Sequence, residues 1–180
     1  ARDPATGGGL FIDMLLHDFD TLRFLLNQEV ESVFAEEANL VVDGQGIDRF
    51  ADNAMCSLRF SQGALAQCHA SMHAEYGYDV RAEVFGEHGM LQIGAIAQNG
   101  LTRFTAASGG SRPQTYLGDN DQPHFMQRFS GAYANEIDAF VDCIIADTPP
   151  QVTHHDALKA FEIALAASES ARSGSPVTPG

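Results

Sequence analysis

Between Val30 and Thr105 the chain offers six short strand-like runs, and the gaps between them leave no room for crossover helices. The runs are Val30 to Val42, Ala54 to Phe60, Ala64 to Ala74, Val80 to Phe85, Met90 to Ile93 and Leu101 to Thr105. Asp43-Gly44-Gln45-Gly46, Ser61-Gln62-Gly63 and Glu87-His88-Gly89 punctuate them. Strands joined by such tight turns pair antiparallel, because a parallel return needs a connection of about a dozen residues or more. Helical periodicity is confined to the flanks. One helix is expected from Leu10 to Leu26, so densely apolar that it must be covered on most sides, and another from Phe125 to Ala146 after a Gly/Ser/Pro-rich loop over Ala106 to Pro123. A last helix opens at Thr153, with Asp156 as its capping-box partner, and ends near Gly174. Strands grouped together with helices at either end predict an α+β fold, a large and mainly antiparallel sheet with helices packed on one face.

A chain of 180 residues, 44 % of them hydrophobic, has enough apolar surface for one core of ordinary size. Its net charge of -14, from 24 acidic against 10 basic residues, repels phosphate backbones and anionic membranes. No nucleic acid or membrane partner is therefore expected. Cys56, Cys68 and Cys143 are odd in number and widely spaced, which suits free thiols in a reducing cytoplasm better than a disulfide framework. No charged-then-apolar leader and no long apolar run occurs, so a cytoplasmic, soluble protein is expected. Lys159 is the one lysine.

Chemistry concentrates in the first helix. Asp13, His17, Asp18 and Asp20 place four ionisable groups within eight residues of an apolar segment. On a helix, residues four apart share a face, so Asp13 is positioned to hold and polarise the His17 imidazole, a proton-transfer pair. Two other classes remain open on the residues alone. Asp13, His17 and Asp20 could ligate a divalent cation for isomerase or hydrolase chemistry, or the sheet could serve a non-enzymatic binding or assembly module. His154-His155-Asp156 resembles a metal cluster only superficially, since neighbours at a helix start point apart. No Gly-x-Gly-x-x-Gly follows a strand and no Gly-x-Ser-x-Gly occurs, so the chain is not expected to bind a dinucleotide unaided or to act as a serine hydrolase.

Gly8-Gly9-Leu10-Phe11-Ile12-Asp13-Met14 followed by His17-Asp18-Phe19-Asp20 resembles the start of the C-terminal domain of the glucose-fructose oxidoreductase and inositol dehydrogenase family, especially its myo-inositol 2-dehydrogenase-like members. Tyr76-Gly77-Tyr78-Asp79, Glu83-Val84-Phe85-Gly86, Phe125-Met126-Gln127-Arg128-Phe129 and Pro150 through Ala171 continue the likeness in order. The resemblance implies that residues 1–180 are the substrate-binding and oligomerisation domain of an NAD(P)-dependent enzyme oxidising a polyol or sugar, with the N-terminal Rossmann domain absent. That other domain carries the glycine-rich NAD or NADP loop and a catalytic lysine in a Glu-Lys-Pro motif, so the isolated chain is expected to be inactive. Carried over by position, His17 takes the hydroxyl proton and Asp13 orients it, both as catalytic residues. Asp20, Tyr76, Tyr78 and Tyr133 are implied to bind substrate, and a homo-oligomer is implied through the open sheet face. Cofactor contacts from this chain stay unassigned, and no metal site is expected.

Overall fold

Whether a β run buries one face or both decides where helices can lie against it. The structure, a computed structural model, describes residues 7–40, 51–73, 79–94, 101–105, 114–116 and 125–180. It divides into two units, one of Ala1–His73 with Gln151–Gly180 and one of Ala74–Pro150.

The first unit contains helices α1 (Gly9–Asp13), α2 (Leu15–Leu26) and α5 (His154–Ser173), and strands β1 (Val30–Ala38), β2 (Asn53–Phe60) and β3 (Leu65–Ser71). The strands form one antiparallel sheet in the order β1-β2-β3. Period-two alternation sends Ala54, Cys56, Leu58 and Phe60 of β2 inward, together with Val33, Ala35, Cys68 and Ala70 of its neighbours. Leu10, Phe11, Leu15 and Phe19 of the first two helices and Ile163, Ala164, Ala166 and Ala167 of α5 complete that core. Phe34, Met55 and Leu65 lie exposed on the opposite face. Helices thus cover one face of this sheet, as expected. The β2–β3 turn runs through Gly63, whose φ of +88° is the left-handed position that such a bulged hairpin turn requires. After α5 the chain turns back, and Val177 exchanges both backbone hydrogen bonds with Val33 at 2.8 Å each.

The second unit carries a separate antiparallel sheet, ordered β4 (Ala82–Gly86), β5 (Gly89–Ile93), β6 (Leu101–Thr105) and β7 (Gln114–Tyr116). Gly86 pairs with Gly89, so Glu87 and His88 form a two-residue turn. Helices α3 (Phe125–Arg128) and α4 (Ser130–Ala146) follow.

The α+β class and the antiparallel pairing agree with expectation, while the described strands fall into sheets of three and four rather than one broad ladder. Three local features also differ. The first helix is broken at Met14, the helix after Phe125 is interrupted at Phe129, and β7 lies inside the segment read as loop. Asp13, His17, Thr21 and Phe24 form one exposed stripe, and the rest of residues 10–26 is buried or half-buried, as the apolar density of the segment predicts. No described helix is long and apolar enough to cross a membrane.

Candidate functional site

The site begins at a backbone irregularity. Gly8 and Gly9 enter α1 with φ of +76° and +74°, and a Cβ at Gly8 would lie 2.8 Å from the Cβ of Ile12. At Gly8 both conformation and space therefore demand glycine, and at Gly9 conformation alone does. Five residues later Met14, at φ -114° and ψ -59°, separates α1 from α2. The Met14 amide reaches back to the Leu10 carbonyl at 3.0 Å, and the His17 amide to the Met14 carbonyl at 3.3 Å.

This break falls between the two residues expected to pair. Asp13 ends α1 and His17 lies in the first turn of α2, both exposed. No ion pair or hydrogen bond joins their side chains among the described residues. Carboxylate and imidazole are near in sequence and both open to solvent, but not in contact; catalytic hydrogen bonds are often long before substrate arrives. Asp20 is half-buried one turn beyond His17, on the neighbouring part of the same helical face. No group of three or more His, Cys, Asp or Glu side chains among the described residues is gathered to hold a metal ion, so Asp13, His17 and Asp20 do not form such a set.

Asp18 turns the other way. Burial pushes its carboxyl above the usual range, an effect that the adjacent His17 opposes. Nearby, Cys56 and Cys68 stand directly opposite each other across β2 and β3, both buried as free thiols. A hydrogen bond with Cys56, followed by burial, drives the Cys68 thiol strongly upward. The Cys68 thiol is therefore a poor nucleophile.

Arg23 is the residue that sequence reasoning missed. Its side chain is only 8 % exposed. It donates through Nε and Nη2 to the two Glu29 carboxylate oxygens at 2.9 and 2.8 Å. Nη1 reaches the Asp156 carbonyl at 3.4 Å, the Asp156 carboxylate at 3.6 Å and the Asp20 carboxylate at 3.7 Å. The hydrogen bond to Glu29 holds Arg23 firmly charged, and the same bond draws the Glu29 carboxyl below its usual range. A signal did exist: Arg23 falls four residues after Phe19 and eight after Leu15, on the buried stripe of α2, where a charge must be paired.

Of the other expected site residues, Tyr133 stands exposed on α4 in the second unit. Tyr76 and Tyr78 lie outside the described residues. Lys159 is engaged by Glu162 at 2.7 Å and by the Gly180 carbonyl at 3.3 Å.

Residues 1–178 match the model of an oxidoreductase family, C-terminal alpha/beta domain. A myo-inositol 2-dehydrogenase of Thermotoga maritima is 34 % identical over 178 residues, covering 94 % of this chain and 51 % of the relative. An NAD(+)-dependent scyllo-inositol 2-dehydrogenase of Bacillus subtilis is 34 % identical over 172 residues, covering 94 % and 47 %. The crystal structure of a Lactobacillus casei scyllo-inositol dehydrogenase with bound NAD(H) and scyllo-inositol superposes with a TM-score of 0.76 at 27 % identity, covering 95 % of this chain and 48 % of that one. The chain spans about half the length of the relatives it matches.

Proposed function

Since the chain belongs to the oxidoreductase family whose C-terminal alpha/beta domain it matches, we propose that it is the substrate-binding and assembly half of an NAD(P)-dependent, inositol dehydrogenase-like enzyme that oxidises a secondary hydroxyl of a polyol or sugar. The observation that carries this reading is the placing of Asp13, His17 and Asp20 at the accessible side of α1 and α2, away from the face that Leu10, Phe11, Leu15 and Phe19 turn into the core. A secondary alcohol is too weak an acid to ionise at neutral pH, so its oxidation needs a base near working pH within hydrogen-bond reach. His17 takes the hydroxyl proton. Asp13, just across the Met14 break, closes on the imidazole in the loaded site and stabilises its cationic form. Asp20 accepts a hydrogen bond from a second substrate hydroxyl, and Tyr76, Tyr78 and Tyr133 supply further contacts to the polyol.

The residues here suit an alcohol rather than a dinucleotide, because acidic side chains line the site and the sequence has no glycine fingerprint for a pyrophosphate. A nicotinamide cofactor, held by an N-terminal Rossmann domain outside these residues, supplies the hydride acceptor. A lysine from that domain steadies the alkoxide oxygen. The enzyme works in the cytoplasm, where Cys56, Cys68 and Cys143 remain thiols.

The test is His17→Ala in the complete enzyme, expected to lower kcat by roughly 10²- to 10⁴-fold, the usual worth of a general base. Undiminished turnover, or nicotinamide reduction by residues 1–180 alone, overturns the assignment. The exposed face of β1–β3, with Phe34, Met55 and Leu65, meets a second copy of the chain in this reading. Light scattering at micromolar concentration is expected to give a dimer or larger; a monodisperse monomer refutes that part.

A further inference from the structure

Arg23 is far more heavily engaged than a helix of this kind needs. Its guanidinium meets three carboxylates from three parts of the chain: Asp20 on α2, Glu29 before β1 and Asp156 in the first turn of α5. The Glu29 contact is bidentate, which fixes the plane of the guanidinium and leaves Nη1 directed at Asp156 and Asp20 together. Of the three acids, Asp20 alone sits on the face that carries His17. The cluster therefore joins the buried guanidinium to a half-buried carboxylate one helical turn from the proposed base.

We propose that Arg23 is a positioning residue for Asp20: anchored by Glu29 and by the amino terminus of α5, it fixes the direction in which the Asp20 carboxylate meets a substrate hydroxyl. This rests on the reading of His17 and Asp20 given above. Without Arg23, Asp20 has no cation within 4.0 Å among the described residues. It then turns toward water. Binding weakens, while proton transfer at His17 continues. Glu29 is not among the proposed substrate contacts, yet its removal frees the guanidinium plane and acts in the same direction.

The experiment compares R23M, R23K and E29Q in the complete oxidoreductase, with steady-state kinetics on a polyol that the wild type oxidises. R23M is expected to raise KM about tenfold and leave kcat within about twofold, as loss of an interaction made equally in ground and transition states does. R23K keeps the charge but loses the fork, so its KM falls between wild type and R23M. E29Q raises KM in the same sense, and the pH profile of kcat stays in place for all three. Wild-type KM in both R23M and E29Q overturns the proposal. So does a kcat that falls in step with the thermal midpoint while KM stands still, which marks Arg23 as structural only. If R23M does not fold, the KM values of R23K and E29Q decide between the same two outcomes. His17→Ala run in parallel separates the two claims: an active H17A defeats the underlying reading, whereas an inactive H17A beside an unaffected R23M defeats this one alone.

Discussion

Helices α2 and α5 lie against the same sheet and are built on opposite principles. In α5 every local signal agrees. Thr153 caps its start, accepting from the His155 amide at 3.2 Å, while the Asp156 carboxylate accepts from the Thr153 amide at 2.9 Å. Gly174, at φ +68°, closes its end. Ala160, Ala164 and Ala167 let it approach the strands closely, and Lys159–Glu162 and Arg172–Glu169 pair on its surface. In α2 the signals conflict. It starts at the helix interruption of Met14 with no side-chain cap, and it turns two ionisable groups, Asp18 and Arg23, toward the protein. Such local inconsistency is costly in stability and gathers where side chains have other work to do. The difference separates a helix that only secures the fold from one that also carries the proposed chemistry.

The sharpest way to break that contrast is to ask whether α2 also secures the fold. Phe19 and Ile163 are both essentially fully buried, one in each helix. Phe19→Ala is expected to cost about 3–5 kcal/mol and Ile163→Ala about 2–5 kcal/mol in urea unfolding of residues 1–180, because each leaves a cavity in the shared core. A loss below about 1 kcal/mol at Phe19 would mean that α2 is only a carrier for its exposed face. His17→Ala, on that face, should leave the same unfolding curve unchanged.

A smaller effect sharpens the contrast through pH. The backbone amide and then the hydroxyl of Thr153 hold Asp156 below its ordinary value of 3.8, so its contribution is present above that value and is lost as pH falls through the folded one. Asp18 is raised above 3.8, first by burial, so what it contributes is present below that value and is lost as pH rises through the folded one. Asp156→Asn should therefore lower the thermal midpoint at about pH 7 and Asp18→Asn raise it, with both differences closing toward about pH 2. Equal signs at neutral pH would remove the distinction between the two helices.

The same division governs what could be read from the residues. α5 was legible to its ends because Thr153, Asp156 and Gly174 act within one turn of themselves. The strands were legible to within a few residues because alternation and Gly63 or Gly89 are local signals too. The breaks at Met14 and Phe129 were not, since neither residue is itself a proline or glycine that would mark one. β7 is short and lies in a segment whose composition reads as loop. The Arg23 cluster joins residues 133 positions apart, beyond any local pattern. For the proposed site, residue identities were legible, but not the interruption that stands between Asp13 and His17.

The pairing of Val177 with Val33 has a consequence for the order in which the molecule is made. Ser170, fully buried, accepts from the Ala35 amide at 3.0 Å and donates to the Ser175 carbonyl at 2.7 Å, so the outer side of β1 is finished by residues 170–177. Residues 74–150 are synthesised between the two. A chain still on the ribosome therefore holds β1 with one flank unpaired until residues 170–177 have emerged, and the unit that contains β1 is completed only after residues 74–150 have been made.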